Sequence, residues 1–344
     1  MKILVTGGVG FIGSNVAEFY ASHGEKVVIF DNLSRAGSIS NLSYLTKNYK
    51  NIEFVHGDIR NQYSLTKLFN KVNFDVVFHL AGQVAVTTSV ISPREDFEIN
   101  VIGSFNLLES MRVTNSEALL IYTSTNKVYG GMNDLVIEER NGRYQFRDFP
   151  DGLAETRNLD FHSPYGCSKG AADQYVIDYS RIYNLKTVVF RQSCIYGNRQ
   201  FGIEDQGWVA WFTIAAALGK DITIFGDGKQ VRDVLFIDDL VNAFNMAVQN
   251  KEIVNGKAYN IGGGSFQMSL LELLVYLRDL TGHEINVIYD NWRPGDQKVY
   301  VSDISKAKTD FGWEPKINVE SGVRKLFKWI NENKTLFKEV GIIQ

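Results

Sequence analysis

The feature that most constrains this chain is a glycine-rich segment directly after its first apolar run. Ile3-Leu4-Val5 predicts a buried strand, and Gly7, Gly10 and Gly13 then lead into a helix from Phe11 to Ser22. The first glycine permits a tight turn, the second lets backbone approach a pyrophosphate, and the third allows the helix to pack closely on the strand. The spacing and its position therefore predict a dinucleotide-binding unit at the N-terminus.

Apolar runs alternate with helical patterns along the first half of the chain. Uninterrupted apolar runs, typical of strands buried on both faces, occur at 27–30, 76–78, 119–122 and 187–190. Helical stretches such as 63–70 and 97–111 fall between them. This alternation predicts an α/β fold with a doubly wound parallel sheet.

The pattern changes past residue 195, where the loops become richer in glycine and charge. We expect residues 1–195 to form a dinucleotide-binding domain that carries the catalytic residues. Residues 196–344 are expected to form a smaller C-terminal α/β lobe that mainly binds substrate. Segments near 232–250, which look like a strand and a helix, are candidates for returning to the main sheet.

Composition narrows the possible partners. The 344 residues carry a formal net charge of −3, so a broad basic surface for nucleic acid or anionic membrane is not expected. Two cysteines and five dispersed histidines predict neither a disulfide framework nor a metal site. No stretch reaches the ~20 apolar residues that span a bilayer. We therefore expect a cytoplasmic protein.

Asp31 ends the second apolar run, about 20 residues after the glycines. A carboxylate there accepts hydrogen bonds from an adenosine ribose and repels the 2′-phosphate of NADP. NAD is therefore the predicted cofactor, although Arg35 close behind could offset that repulsion. Asp58 and Ile59 follow a further apolar stretch at 52–55 and are candidates for seating the adenine. Leu80 and Ala81 belong to the segment 79–82, which offers small residues for close backbone approach.

Tyr165 and Lys169 are spaced i and i+4, which places them on one face of a helix. A nearby ammonium lowers the pKa of a phenol from its ordinary value of about 10, so Tyr165 could act as a base. Thr125 lies in a hydroxyl-rich segment at the end of another strand, from which side chains point into the cleft of a parallel sheet. These three residues are the predicted catalytic set.

Together these segments resemble the extended short-chain dehydrogenase/reductase family, which comprises nucleotide-sugar epimerases and dehydratases. The resemblance covers nearly the whole chain and implies a Rossmann domain with bound NAD. It also implies that Thr125, Tyr165 and Lys169 act on the sugar while Arg232 and Arg293 hold the diphosphate. Guanidinium groups suit that role because they bond phosphate oxygens bidentately.

The full set of contacts implied in this way has two parts. The cofactor contacts are Gly7, Gly10, Phe11, Ile12, Asp31, Asn32, Ser34, Arg35, Asp58, Ile59, Leu80, Ala81, Gln83, Asn100, Thr123, Ser124, Tyr165 and Lys169. The substrate contacts are Thr125, Asn126, Cys194, Gln206, Arg232, Arg293 and Asp296. The resemblance further implies a homodimer or homotetramer that associates through helices at 97–111 and 165–183.

Two departures from the family pattern bear on the reaction. The 4,6-dehydratases carry an Asp-Glu pair after the catalytic threonine, whereas this chain has Asn126 and Lys127, which cannot act as that acid/base pair. Elimination chemistry is therefore not expected. Cys194 replaces a usual asparagine, which indicates either a different substrate pose or a small packing residue.

Longer strings at 82–89, 124–130, 162–175 and 205–209 are similar to family members that act on CDP-linked dideoxyhexoses. That similarity implies inversion at C2 by transient oxidation with tightly bound, recycled NAD. One alternative is a 4-epimerase of UDP-glucose and UDP-galactose, which shares every catalytic residue. Others are a 4-keto-sugar reductase that consumes NADPH, and a non-catalytic NAD-sensing or RNA-binding scaffold.

Overall fold

The structure is a computed structural model that describes residues 1–204, 206–293 and 296–341. Its strands are β1 (Lys2–Thr6), β2 (Lys26–Asp31), β3 (Ile52–His56), β4 (Val76–His79), β5 (Leu119–Thr125), β6 (Ile137–Arg140), β7 (Arg143–Phe146), β8 (Thr187–Gln192), β9 (Cys194–Tyr196), β10 (Ile222–Phe225), β11 (Val231–Phe236), β12 (Lys257–Ile261), β13 (Gln267–Ser269), β14 (Val287–Asp290) and β15 (Val299–Tyr300).

The helices are α1 (Phe11–Ser22), α2 (Ser38–Asn48), α3 (Gln62–Lys71), α4 (Val86–Ile91), α5 (Pro93–Phe97), α6 (Gly103–Val113), α7 (Ser163–Tyr183), α8 (Trp208–Ala217), α9 (Ile237–Gln249), α10 (Lys251–Val254), α11 (Leu270–Thr281), α12 (Ser305–Phe311), α13 (Val319–Glu332) and α14 (Lys334–Glu339). A π-helical segment at Glu98–Ile102 interrupts the helix expected at 97–111, and a 3₁₀ helix spans Asn126–Tyr129. Within the described residues, no helix combines the length and apolar character that a membrane span requires.

The main sheet is parallel throughout, in the order β12-β8-β5-β4-β1-β2-β3. The order reverses at β1, between its neighbours β2 and β4. Ligands of open parallel sheets bind at such a switch point, outside the carboxyl ends of the strands. The predicted doubly wound α/β sheet is therefore confirmed.

Side chains alternate between two apolar layers on the faces of this sheet. Along β1, Ile3 and Val5 belong to the layer that packs under α1 and α9, whereas Leu4 belongs to the layer under α3, α6 and α7. Both faces are thus covered, which explains the uninterrupted apolar runs in the sequence. In the first layer, Phe244 of α9 stacks on Phe190 of β8 with ring centroids 5.5 Å apart.

In the described part of the chain, three shorter sheets lie outside the main sheet. In one of them, strand β11 pairs with β9, β13 and β15. The expectation that 232–250 returns to the main sheet therefore needs correction. Helix α9 covers the main sheet, but the strand that joins it is β12, through parallel pairing of residues 257–261 with β8. The main sheet thus includes chain beyond residue 195.

Candidate active site

The turn between β1 and α1 forms one wall of a groove at the switch point. The Gly10 nitrogen donates to the Gly7 carbonyl at 3.1 Å, and Gly7 adopts φ +66°. A Cβ on Gly7 would lie 2.6 Å from the Ala81 nitrogen, and one on Gly13 would lie 2.1 Å from the Gly7 oxygen. Backbone thus approaches backbone on both sides of the turn, which only glycine allows there.

Asp31, at the end of β2, lies in the same groove. Its carboxylate accepts hydrogen bonds from the backbone nitrogens of Leu33 at 2.8 Å and Val9 at 3.3 Å. Burial raises the pKa of Asp31, and these backbone donors oppose the rise. The amides hold the carboxylate facing a cleft, where it can accept further hydrogen bonds.

The predicted cofactor contacts from Gly7 to Gln83 all line this groove. Among them, Asn32 donates to Asp58 at 2.9 Å. Arg60 also bonds Asp58 and holds the pKa of that carboxyl at about 2, so it remains ionised. Hydrogen bonds therefore hold the side chains at the end of the groove that lies beside the termini of β2 and β3.

Asn100 and Thr123, two further predicted cofactor contacts, lie behind the groove wall. Asn100 is buried and bonds both the nitrogen and the oxygen of Gln83, at 2.9 and 3.1 Å, as well as the Ser168 hydroxyl at 3.0 Å. Thr123 donates to the His79 carbonyl at 3.2 Å. Asn100 therefore ties the groove wall to the catalytic helix α7.

Tyr165 and Thr125 lie side by side in a second groove, which adjoins the first. Both side chains line this groove, and the Tyr165 nitrogen donates to the Ser89 hydroxyl at 3.1 Å. Ser124 lines the same groove. The two grooves share Phe11 and Ile12, so a dinucleotide in the first would end beside Tyr165.

The electrostatics of the catalytic pair differ from the expectation. Burial raises the pKa of Tyr165 to about 12, and the nearby Thr125 hydroxyl partly opposes the rise. Burial also lowers the pKa of Lys169 to about 7. The Lys169 ammonium lies 4.2 Å from the ring centroid of Tyr122, behind Gly82. The prediction that Lys169 lowers the phenol pKa is therefore wrong for this structure, because desolvation dominates.

All seven predicted substrate contacts line the second groove: Thr125, Asn126, Cys194, Gln206, Arg232, Arg293 and Asp296. Arg232 donates to Asp296 at 2.9 Å, and the Arg293 guanidinium lies 3.6 Å from the ring centroid of Phe225. Burial raises the pKa of the Cys194 thiol, which therefore stays protonated. Asp205 and 294–295, within segments that carried the resemblance, lie outside the described residues.

Residues that the sequence analysis missed also line this groove. Trp208 and Phe225 add aromatic surface, and Lys127 adds a third cation to Arg232 and Arg293. Lys127 carried a signal, since a basic residue at a position that is acidic in the dehydratases indicates a changed ligand contact. The described residues include no group of histidine, cysteine or acidic side chains that could hold a metal ion.

Comparison with known proteins agrees with this geometry. The family model described as GDP-mannose 4,6-dehydratase matches residues 4–326. The CDP-paratose 2-epimerase of Salmonella typhi is 49% identical over 96% of this chain and 99% of its own length.

Two solved structures are also similar. One is the UDP-glucose 4-epimerase of Thermotoga maritima with UDP-glucose, at TM-score 0.84 and 33% identity over 97% of this chain and 100% of that one. The other is the UDP-glucuronic acid 4-epimerase of Bacillus cereus with UDP-glucuronic acid and NAD, at TM-score 0.83 and 28% identity over 96% and 99%. The chain therefore belongs to the GDP-mannose 4,6-dehydratase family, the nucleotide-sugar epimerases and dehydratases of the extended short-chain dehydrogenase/reductase type.

Proposed function

We propose that this protein is an NAD-dependent epimerase that inverts C2 of a CDP-linked dideoxyhexose, converting CDP-paratose to CDP-tyvelose. The observation that carries the proposal is the 49% identity to a CDP-paratose 2-epimerase over nearly the full length of both chains. The catalytic set of Thr125, Tyr165 and Lys169 is intact, which supports an enzyme over a non-catalytic scaffold.

The first groove fits NAD. Its wall at Gly7 has no room for a Cβ, so backbone amides at the start of α1 are exposed to an approaching pyrophosphate. Asp31 lines the groove at the β2 terminus, where a carboxylate favours a ribose hydroxyl and repels a 2′-phosphate. Gly7, Gly10 and Asp31 would hold NAD, which supplies a reversible hydride acceptor when bound.

Tyr165 and Thr125 handle the proton of the reacting hydroxyl. Because both side chains line the same groove, a sugar oxygen bound between them is within reach of both groups. Tyr165 accepts the proton as the hydroxyl becomes a carbonyl, and it returns the proton after the sugar has presented its other face. Lys169, one turn later on α7 and a predicted cofactor contact, would hold the nicotinamide ribose of the bound NAD rather than acidify the phenol.

The same groove supports epimerisation over elimination. Loss of water from a sugar needs an acid/base pair beside the reacting carbons. Asn126 and Lys127, which follow Thr125, supply an amide and an ammonium instead. Neither is a carboxyl group, so the groove serves a reaction without net loss of water.

A second candidate function is the 4-epimerisation of UDP-glucose. The observation that favours it is the likeness to the Thermotoga maritima UDP-glucose 4-epimerase, at TM-score 0.84. It uses the same catalytic set, so only the substrate groove distinguishes the two. A reductase that consumes NADPH is disfavoured, because Asp31 would repel the extra phosphate.

The deciding experiment is proton NMR of the purified enzyme with CDP-paratose, CDP-tyvelose, UDP-glucose or UDP-galactose, without added cofactor. We expect interconversion of the two CDP sugars alone, because the bound NAD is regenerated in every cycle. Conversion of the UDP sugars at C4 would favour the second candidate instead. A complete lack of reaction would contradict recycled NAD.

We also propose that the protein forms a homodimer or a homotetramer through α6 and α7. Large side chains on the outer face of these helices and the adjoining turns are exposed, among them Phe97, Phe105, Tyr175, Ile182 and Tyr183. The Phe105 and Tyr175 rings, one on each helix, have centroids 5.8 Å apart, and an exposed apolar patch is typical of a protein interface. Sedimentation of the wild type and of Tyr175→Asp should show an oligomer that the variant weakens, and a monomeric wild type would contradict the proposal.

The cytoplasm is the proposed location. Cys167 and Cys194 are both unpaired thiols. Unpaired cysteines are typical of a reducing compartment.

A further inference from the structure

Lys127 lies in the substrate groove between the catalytic hydroxyls and Arg232. Its backbone nitrogen donates to the Thr125 hydroxyl at 3.2 Å, so its position is tied to the catalytic end. Its ammonium donates to the Gln297 side-chain oxygen at 3.0 Å. Gln297 is buried, and its amide nitrogen donates to the Gly130 carbonyl at 2.6 Å, which fixes the oxygen toward Lys127.

One short chain of hydrogen bonds connects Lys127 to Arg232. Asp296 accepts from the Gln297 backbone nitrogen at 3.0 Å and from Arg232 at 2.9 Å. Burial, followed by the charge of Arg232, lowers the pKa of Lys127 to about 8, while Asp296 and Cys194 oppose this. Lys127 and Arg232 thus lie near one carboxylate, which is paired with Arg232, and such a surplus of positive charge favours a bound anion.

The ammonium retains donors for that anion. An ammonium has three N–H donors, and Gln297 accepts one of them. Gln297 therefore orients Lys127 without neutralising it, because an amide oxygen carries no formal charge. The position suits a phosphate oxygen that lies close to Thr125 and Tyr165.

The carbon that reacts determines how close the phosphate must come. In a hexopyranose, the diphosphate is attached at C1. C2 is bonded directly to C1, whereas C4 lies across the ring. A substrate that reacts at C2 therefore brings its sugar-linked phosphate beside the catalytic hydroxyls, while one that reacts at C4 keeps the whole ring between them.

We propose that Lys127 binds the sugar-linked phosphate of the substrate and thereby places C2, rather than C4, at Tyr165. This inference rests on the proposed C2 epimerisation and adds a specificity-determining contact to it. Lys127 thus extends the phosphate site from Arg232 toward Thr125. In the dehydratases, an acidic residue at this position would repel a phosphate placed so close.

The test compares nucleoside diphosphates with monophosphates, since only the former carry the second phosphate. Calorimetry should give the affinities of the NAD-loaded wild type and of Lys127→Met for CDP and CMP, and for UDP and UMP. Methionine keeps the length of the side chain and removes its charge. Loss of one charged hydrogen bond should reduce the diphosphate-over-monophosphate preference about 10- to 100-fold.

Two further variants control this measurement. Lys127→Arg keeps the charge and should retain most of the preference. Lys229→Met removes a lysine that pairs with Glu139 outside both grooves, and it should leave the preference unchanged. Thermal melting of each variant confirms that the comparison is made on folded protein.

The outcomes separate this inference from the proposed function. If the wild type interconverts the CDP sugars but Lys127→Met keeps the full preference, the phosphate contact is wrong and the C2 epimerase stands. If the wild type acts only on UDP sugars at C4, the C2 placement is overturned together with the proposed function. If the wild type interconverts the CDP sugars and Lys127→Met loses the preference for diphosphates, the result supports both the proposed function and the phosphate contact.

Discussion

The ion pair between Asp173 and Arg191 should hold the catalytic helix against the main sheet. Asp173 lies on α7 and Arg191 on β8, and two hydrogen bonds of 3.0 Å join them. Their side chains are 0% and 6% exposed. Removing one partner leaves the other charge buried, which costs about 3–5 kcal/mol. Asp173→Leu and Arg191→Met should each lower the free energy of unfolding by that amount, measured by urea titration of tryptophan fluorescence.

The double variant of Asp173 and Arg191 tests the reason for this loss. It removes both charges, so its cost should be smaller than the sum of the single costs by about 3 kcal/mol. Arg94→Met breaks an exposed pair with Glu98 and should cost less than about 1 kcal/mol. If the double variant loses as much stability as the two single variants together, the reasoning is refuted, because the two charges would then not depend on each other.

Three more outcomes follow from the site. Tyr165→Phe removes the proton acceptor and should lower kcat about 10²- to 10⁴-fold while the NAD content of the purified protein stays unchanged; full activity would assign the base to another group. Lys169 has a pKa of about 7 in the folded protein and about 10.4 in the unfolded chain. Between these pH values the folded protein binds fewer protons than the unfolded chain, so its free energy of unfolding rises with pH. Lys169→Met should reduce this rise in urea titrations at pH 7, 8 and 9, and an unchanged slope would contradict it. Gly13→Ala places a Cβ 2.1 Å from the Gly7 oxygen. It should lower the free energy of unfolding by about 1–3 kcal/mol and release bound NAD. An unaltered melting temperature would contradict the close packing of α1.

The main sheet could be predicted because its signals are local. An apolar run followed by Gly7, Gly10 and Gly13 specifies a strand, a turn and a helix within a few residues. The predicted helix bounds Phe11–Ser22 match α1. Helix α11 begins with a capping box between Ser269 and Glu272, a signal that is itself local.

The order of the late strands depends on pairing between distant segments. Both β11 and β12 are short and buried, so periodicity alone does not show which one joins the main sheet. The pairing of β12 with β8 joins residues about 70 positions apart along the chain. Packing of α9 on β8 is likewise a tertiary contact that no local pattern encodes.

Electrostatics were the least predictable part of the catalytic set. The i, i+4 spacing of Tyr165 and Lys169 was correctly taken to place both on one helix. It did not reveal that the Tyr122 ring lies against the ammonium, nor that burial affects both groups more than their mutual charge. Desolvation depends on everything packed around a group, and that information lies outside the motif.

The two grooves therefore differ in how the chain specifies them. The dinucleotide groove and Thr125 lie at strand ends, and Tyr165 lies in the first turn of α7, where short motifs fix them. The substrate groove is assembled from contacts such as Lys127 with Gln297, which are 170 positions apart. Substitutions in 296–297 could change which sugar carbon reaches Tyr165 while every catalytic motif stays intact. Relatives with one catalytic set could in this way act at different carbons.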